Sequence, residues 1–232
     1  MGLITFIISL AKSAIAGVSI GISSFLYSSA LRVVDNSKFD SLGHLAGSAL
    51  MSIGFIISCT FKLPIFVGRL GSIFDNAGVK LFTTSFFGMM VGNIGGAIAV
   101  GILVHVLLKQ TSLIPIVKNI ANELTNLNNL NQYINCALSS VFSGAIIYSA
   151  AMIFNGNRLK PRAFIILIFM TLLSFFNKFQ YSIGNIFFFA YAGMINKYVG
   201  INLAITIIGN IIGTIPMSLM FKVDVKVAGA EA

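Results

Sequence analysis

Long apolar runs separated by short polar connections set the plan of this chain. The runs cover about Ser13–Val33, His44–Phe74, Leu81–Leu108, Asn135–Phe154, Ala163–Ile195 and Val199–Phe221. Each is long enough for a helix across a hydrocarbon core of about 30 Å at 1.5 Å per residue. Two are too long for one straight helix. The 33 residues from Ala163 to Ile195 would extend about 50 Å. Both long runs also carry polar residues in their middles. In the second run, Phe61-Lys62-Leu63-Pro64-Ile65-Phe66-Val67-Gly68-Arg69 combines two cations with a proline that cannot donate its backbone bond, so a kink or unwound loop is expected. In the fifth, the break falls at Asn177-Lys178-Phe179-Gln180-Tyr181-Ser182-Ile183-Gly184-Asn185. Irregular backbone at membrane depth is tolerated only where it is buried in protein or lines a cavity. The pattern therefore predicts an all-α membrane protein of six transmembrane helices, with helices two and five broken beside a pathway.

Finer features fill in this plan. Residues 2–10 are apolar but precede Lys12, which suggests a short interfacial helix before the first span. Gly17 and Gly21 lie four apart on one face of that span, near Ser13, Ser24 and Ser28, and such a face lets helices approach closely. The connection from Lys109 to Ile134 is rich in Asn and places Leu124, Leu127 and Leu130 at helical spacing, as in an interfacial stretch.

An internal repeat is also visible. Gly92-Asn93 followed by Gly96 matches Gly209-Asn210 followed by Gly213 at an offset of 117, which carries Pro64 onto Tyr181. Tyr27-Ser28-Ser29-Ala30-Leu31 resembles Tyr148-Ser149-Ala150-Ala151-Met152 at an offset of 121. Halves of three spans, about 1–110 and 130–226, are inverted relative to each other, and paired broken helices in such halves point to a site near the midplane. We read the chain as a single domain, with residues 227–232 as a tail.

Composition agrees and narrows the function. Hydrophobic residues make up 57% of the 232 positions and charged residues 9%, with a mean hydropathy of +0.95. Soluble domains carry about 25% charged residues, so no aqueous catalytic domain is expected. The formal charge of +9 comes from fifteen Lys and Arg scattered at span ends, a pattern suited to topology and membrane lipid and not to nucleic acid. With both termini on one side, that side collects Lys12, Lys80, Arg158, Lys160, Arg162, Lys222 and Lys226, against Arg32, Lys38, Lys109, Lys118 and Lys197 opposite. Cytoplasmic termini follow from this cation bias, and the plasma (inner) membrane is the expected location. The start of the chain favours neither a cleaved signal peptide nor myristoylation.

Candidate chemistry is sparse. Cys59 and Cys136 lack the spacing of a metal site or disulfide framework and are read as buried thiols. His44 and His105 have no carboxylate partner at ligand spacing and are read as satisfied helix histidines. Neither an enzyme, a metal site nor a cofactor is expected.

Taken in order, several motifs resemble the formate/nitrite transporter family, whose members include formate, nitrite and hydrosulfide channels. Ala16-Gly17-x-x-Ile20-Gly21 is similar to the family's AGxxIG, Ile65-Phe66-Val67-Gly68 stands where it has LFTG, and Gly92-Asn93 and Gly209-Asn210 match its two GN elements. Phe179 to Asn185 resembles its FEHSIAN. The resemblance implies an aquaporin-like inverted repeat, a homopentamer with one pore per protomer, and passage of small monovalent anions or their conjugate acids. It also implies hydrophobic constrictions flanking a central histidine, and a lysine near the start of span four. Here the histidine falls on Tyr181, the glutamate on Gln180 and the threonine of LFTG on Val67, and no basic residue stands between Ile134 and Ser149. Imidazole titrates near neutral pH and relays protons, whereas a phenol stays a neutral donor and acceptor there.

Lys178 is the leading candidate for the pathway. A lysine in the middle of a span costs about 2.5–3.5 kcal/mol on insertion scales, so either its ammonium faces a cavity and replaces the missing positive charge, or it snorkels to an interface. Asn177, Gln180, Tyr181, Asn185 and Val67 complete the candidate pathway. Phe55, Ile65, Phe66 and Phe175 are candidate constriction residues, because apolar rings gate by dewetting. Lys62 and Arg69 are read as vestibule cations or interface anchors, and Asn93 and Asn210 as stitches between helices. Two other functions fit the same pattern: passage of a neutral or weakly acidic solute, and a membrane scaffold or sensor that does not conduct.

Overall fold

The computed structural model describes residues 2–34, 40–69, 79–108, 112–156 and 160–230. Among them the regular elements are helical: α1 (Gly2–Val34), α2 (Asp40–Thr60), α3 (Phe66–Arg69), α4 (Val79–Leu107), α5 (Leu113–Thr125), α6 (Leu130–Gly156), α7 (Lys160–Phe176), α8 (Ser182–Ala192) and α9 (Lys197–Ala230). By length and composition, α1, α2, α4, α6 and α9 each hold a stretch able to cross a membrane, while α7 and α8 are apolar but shorter. The chain is a multi-pass membrane protein. Both overlong runs are interrupted where their polar residues lie, between Thr60 and Phe66 and between Phe176 and Ser182.

Glycine decides which helices meet. Water does not drive helices together in lipid, so close backbone approach has to supply the packing energy. Helix α1 lies on α4, and α6 on α9. A Cβ on Gly17 would collide with the carbonyl oxygen of Asn93, and one on Gly96 with that of Ala14. The second pair repeats the design: Gly144 meets the Asn210 backbone and Gly213 the carbonyl oxygen of Val141. Buried serines and threonines add little polarity to these faces because they bond within their own helices. The hydroxyls of Ser24, Ser28, Ser140, Thr171 and Thr206 donate to carbonyls four residues earlier. Gly96→Leu should cost about 3 kcal/mol or more, since backbone on the facing helix has to move. Thermal unfolding in detergent, against Gly95→Leu where a Cβ meets open space, measures the difference.

Several boundaries differ from the sequence reading. The expected interfacial helix at residues 2–10 is continuous with the first span, because neither a proline nor, after Gly2, a glycine interrupts the chain there and Lys12 is exposed on an unbroken helix. Leu124, Leu127 and Leu130 do not share one helix. Asn129 caps α6: its Oδ1 accepts from the Gln132 amide at 3.0 Å, and Gln132 Oε1 accepts from the Asn129 amide at 3.1 Å. Leu127 therefore sits in the connection, and α5 buries Leu113, Val117 and Ala121 instead. Helix α9 runs on to Ala230, through part of the expected tail.

Candidate functional site

The two breaks are built alike. Helix α7 ends in a Schellman turn, in which the Lys178 amide donates to Phe175 O at 3.0 Å and the Phe179 amide to Ser174 O at 2.9 Å. Helix α2 ends the same way, from Lys62 to Cys59 O at 3.3 Å and from Leu63 to Ser58 O at 2.8 Å. Such turns need a left-handed residue, usually glycine. Here lysine takes both positions, with φ of 53° at Lys62 and 55° at Lys178.

Each short helix beyond a break takes its cap from another helix. The Tyr181 side chain gives α8 no cap. Instead, Asn210 Oδ1 accepts from the Ser182 amide at 3.0 Å and from its hydroxyl at 2.9 Å. Asn210 Nδ2 donates to Ser140 O at 2.8 Å and Gln180 O at 3.0 Å. At the first break, Asn93 Oδ1 accepts from the Phe66 amide at 2.9 Å, and its Nδ2 donates to Ser13 O at 2.7 Å and Pro64 O at 3.1 Å. Both asparagines thus stitch helices and close the breaks.

These contacts also revise the repeat. Pro64 corresponds to Gln180, one residue from the expected Tyr181, because both carbonyls receive the capping amide. Gly17 corresponds to Gly144, an offset of 127. The likeness of Tyr27–Leu31 to Tyr148–Met152 at 121 is therefore not the structural register of α1 and α6.

Three rings meet at the second break. Phe55 lies 5.3 Å from Tyr181 and 6.1 Å from Phe175, and Phe175 and Tyr181 are 6.1 Å apart. Phe55 and Tyr181 are each 1% exposed. The Tyr181 hydroxyl is buried with no hydrogen-bond partner among the described residues. Ile65, Phe66 and Val67 are also buried, at the first break, where Phe66 packs edge-on to Phe86 at 6.1 Å.

Phe175 faces a cavity of about 420 Å³ whose wall includes Tyr27, His44, Glu123, Lys178, Gln180, Asn185 and Phe188. The sequence reading put Lys178 in the middle of a span. Its side chain is 57% exposed on the cavity wall, and Nζ pairs with Glu123 of α5 at 3.2 Å. His44 Nδ1 bonds the Tyr27 hydroxyl at 3.1 Å, and His105 Nδ1 bonds Tyr191 O at 2.7 Å. A polar network supports the wall: Asn185 Nδ2 donates to Gln180 Oε1 at 2.7 Å and to Asn202 Oδ1 at 3.1 Å, and Asn202 Nδ2 donates to Leu124 O at 2.8 Å. Cys136 is buried and receives a 3.6 Å contact from Asn202.

The other candidates lie elsewhere. Asn177 is exposed, donates to Leu173 O at 2.7 Å, and is not part of the cavity wall. Lys62 is exposed at the first break, and the Arg69 side chain lies outside the described residues. Gly21 packs against the Val100 side chain. The sequence reading missed Glu123 and Asn202. An asparagine inside the last apolar run was a usable signal, whereas Glu123 in a polar connection gave none.

The fold is that of a multi-pass helical protein in which two interrupted helices are closed by asparagines from neighbouring helices. A solved pentameric formate channel with formate bound has a similar fold, with a TM-score of 0.79 at 16% identity, covering 96% of this chain and 98% of that one. A formate/nitrite transporter (FNT) family ion channel is similar at a TM-score of 0.78 and 17% identity, over 93% of this chain and 89% of that one. No protein-family model matches the chain, and no curated protein matches its sequence.

Proposed function

We propose that this chain is a divergent member of the formate/nitrite transporter family that conducts small monovalent anions, or their conjugate acids, across a membrane. The observation that carries this reading is the pair of asparagine-closed breaks, within a fold shared with a formate channel along nearly the whole chain. In this reading α1, α2–α3, α4, α6, α7–α8 and α9 make six spans in two inverted halves. The assembly is a homopentamer with one pathway per protomer, in the plasma (inner) membrane with cytoplasmic termini.

The cavity beside Lys178, Gln180 and Asn185 is one mouth, and the rings of Phe55, Phe175 and Tyr181 close the pathway beneath it. Ile65, Phe66 and Val67 form the corresponding wall at the other break, with Lys62 and Arg69 toward the second mouth. Asn177, bonded within its own turn, serves the break and not the solute. Formate, nitrite, hydrosulfide, chloride and glycerol flux into liposomes holding the purified protein tests this. At least one monovalent anion is expected to enter faster than into protein-free vesicles; no flux of any of them removes the channel reading.

A second reading keeps the fold and changes the cargo to a neutral or weakly acidic solute. It is favoured by the Lys178–Glu123 pair, which leaves the mouth without a free cation at Lys178. Reversal potentials under an anion gradient separate the two, because purely neutral transport carries no current.

A further inference from the structure

We infer that Glu123 sets the electrostatic potential of the cavity mouth, tuning anion entry by occupying the Lys178 ammonium. The inference rests on the reading of the chain as an anion channel.

The two charges come from separate elements, α5 and the second break, and meet at 3.2 Å on the cavity wall. Both backbones are pinned. Lys178 occupies the left-handed position of a Schellman turn. Glu123 precedes Leu124, whose carbonyl is bonded by Asn202, the same side chain that supports Gln180 and Asn185. With side chains 57% and 65% exposed, the pair adds little to stability. Its larger effect is on the potential in the cavity, where a charged wall concentrates or repels a small ion.

The first break provides a contrast. Lys62 holds the same left-handed position, is exposed, and has no ion pair among the described residues. Of these two lysines placed by the same turn, the one at the cavity is the one that faces a carboxylate among the described residues. An anion reaching Lys178 has to displace Glu123 or share the ammonium with it. Besides this pair, the cavity wall carries His44, bonded to Tyr27.

The test uses the full chain in liposomes, with formate as the probe and flux normalised to folded protein. Glu123→Gln should raise formate flux about three- to fivefold at low salt, the effect of removing one charge some 10 Å from the ion in a partly aqueous cavity. The gain should fade at about 1 M salt, where screening acts within about 3 Å. Lys178→Gln should lower flux. Formate flux in the parent chain that is unchanged in Glu123→Gln, or a gain indifferent to salt, overturns the electrostatic role and leaves the channel reading standing. Absence of formate flux from both chains overturns the anion-channel reading for this probe and this inference with it.

Discussion

Asn210→Leu is expected to lower stability by about 3 kcal/mol, because four hydrogen bonds at membrane depth are lost and each is worth about 0.6–1.7 kcal/mol there. Leucine fills similar space but leaves the Ser182 amide and the carbonyls of Ser140 and Gln180 without their partner. The N-terminus of α8 then loses its cap and the second break its closure. Thermal unfolding in detergent, read by circular dichroism and by loss of the monodisperse gel-filtration peak, measures the effect. Asn93→Leu should cost somewhat less, since among the described residues the Asn93 side chain makes three bonds where that of Asn210 makes four. Stability equal to the parent in both variants would show that the breaks are held by packing alone.

Tyr181→Phe is expected to have the opposite profile. The hydroxyl is buried and has no partner among the described residues, so its removal should change stability by less than about 0.5 kcal/mol. If that hydroxyl donates to the passing solute, its loss weakens the crossing by one hydrogen bond, about 1.4 kcal/mol, or tenfold in flux. The split between an intact fold and a tenfold slower flux is the signature. Flux equal to the parent would make Tyr181 a packing ring beside Phe55 and Phe175.

The breaks were legible because they follow from length and from one residue type. A run of 33 apolar residues exceeds the bilayer, and Pro64 or a polar patch marks the place of interruption. Asn93 and Asn210 stood out as amides inside apolar runs. Their role as caps did not, since Phe66 and Ser182 lie 27 and 28 residues earlier in the chain. The likeness of α4 and α9 was visible, because the close approaches and the capping contacts there require both glycine and asparagine. In α1 and α6 the contacts that recur match Ser13 with Ser140, Ala14 with Val141 and Gly17 with Gly144, and the Ser-x-x-x-Gly they share is too short to mark that register in the sequence. The partner of Lys178 was not found, although the lysine itself stood out as an anomaly. Its position depends on a left-handed turn and on a glutamate 55 residues away, neither of which hydropathy reports.

The capping asparagines also impose an order on biogenesis. With 11 residues, α8 reaches only about 16 Å and cannot cross a bilayer alone. Its first amides are satisfied by a side chain that the ribosome adds 28 residues later. The segment has to wait, at the translocon or in the interface, until the next helix has been made. The same delay recurs at the first break, where Phe66 waits 27 residues for Asn93. A nascent chain stopped short of position 210 therefore carries its second half-helix without its anchor.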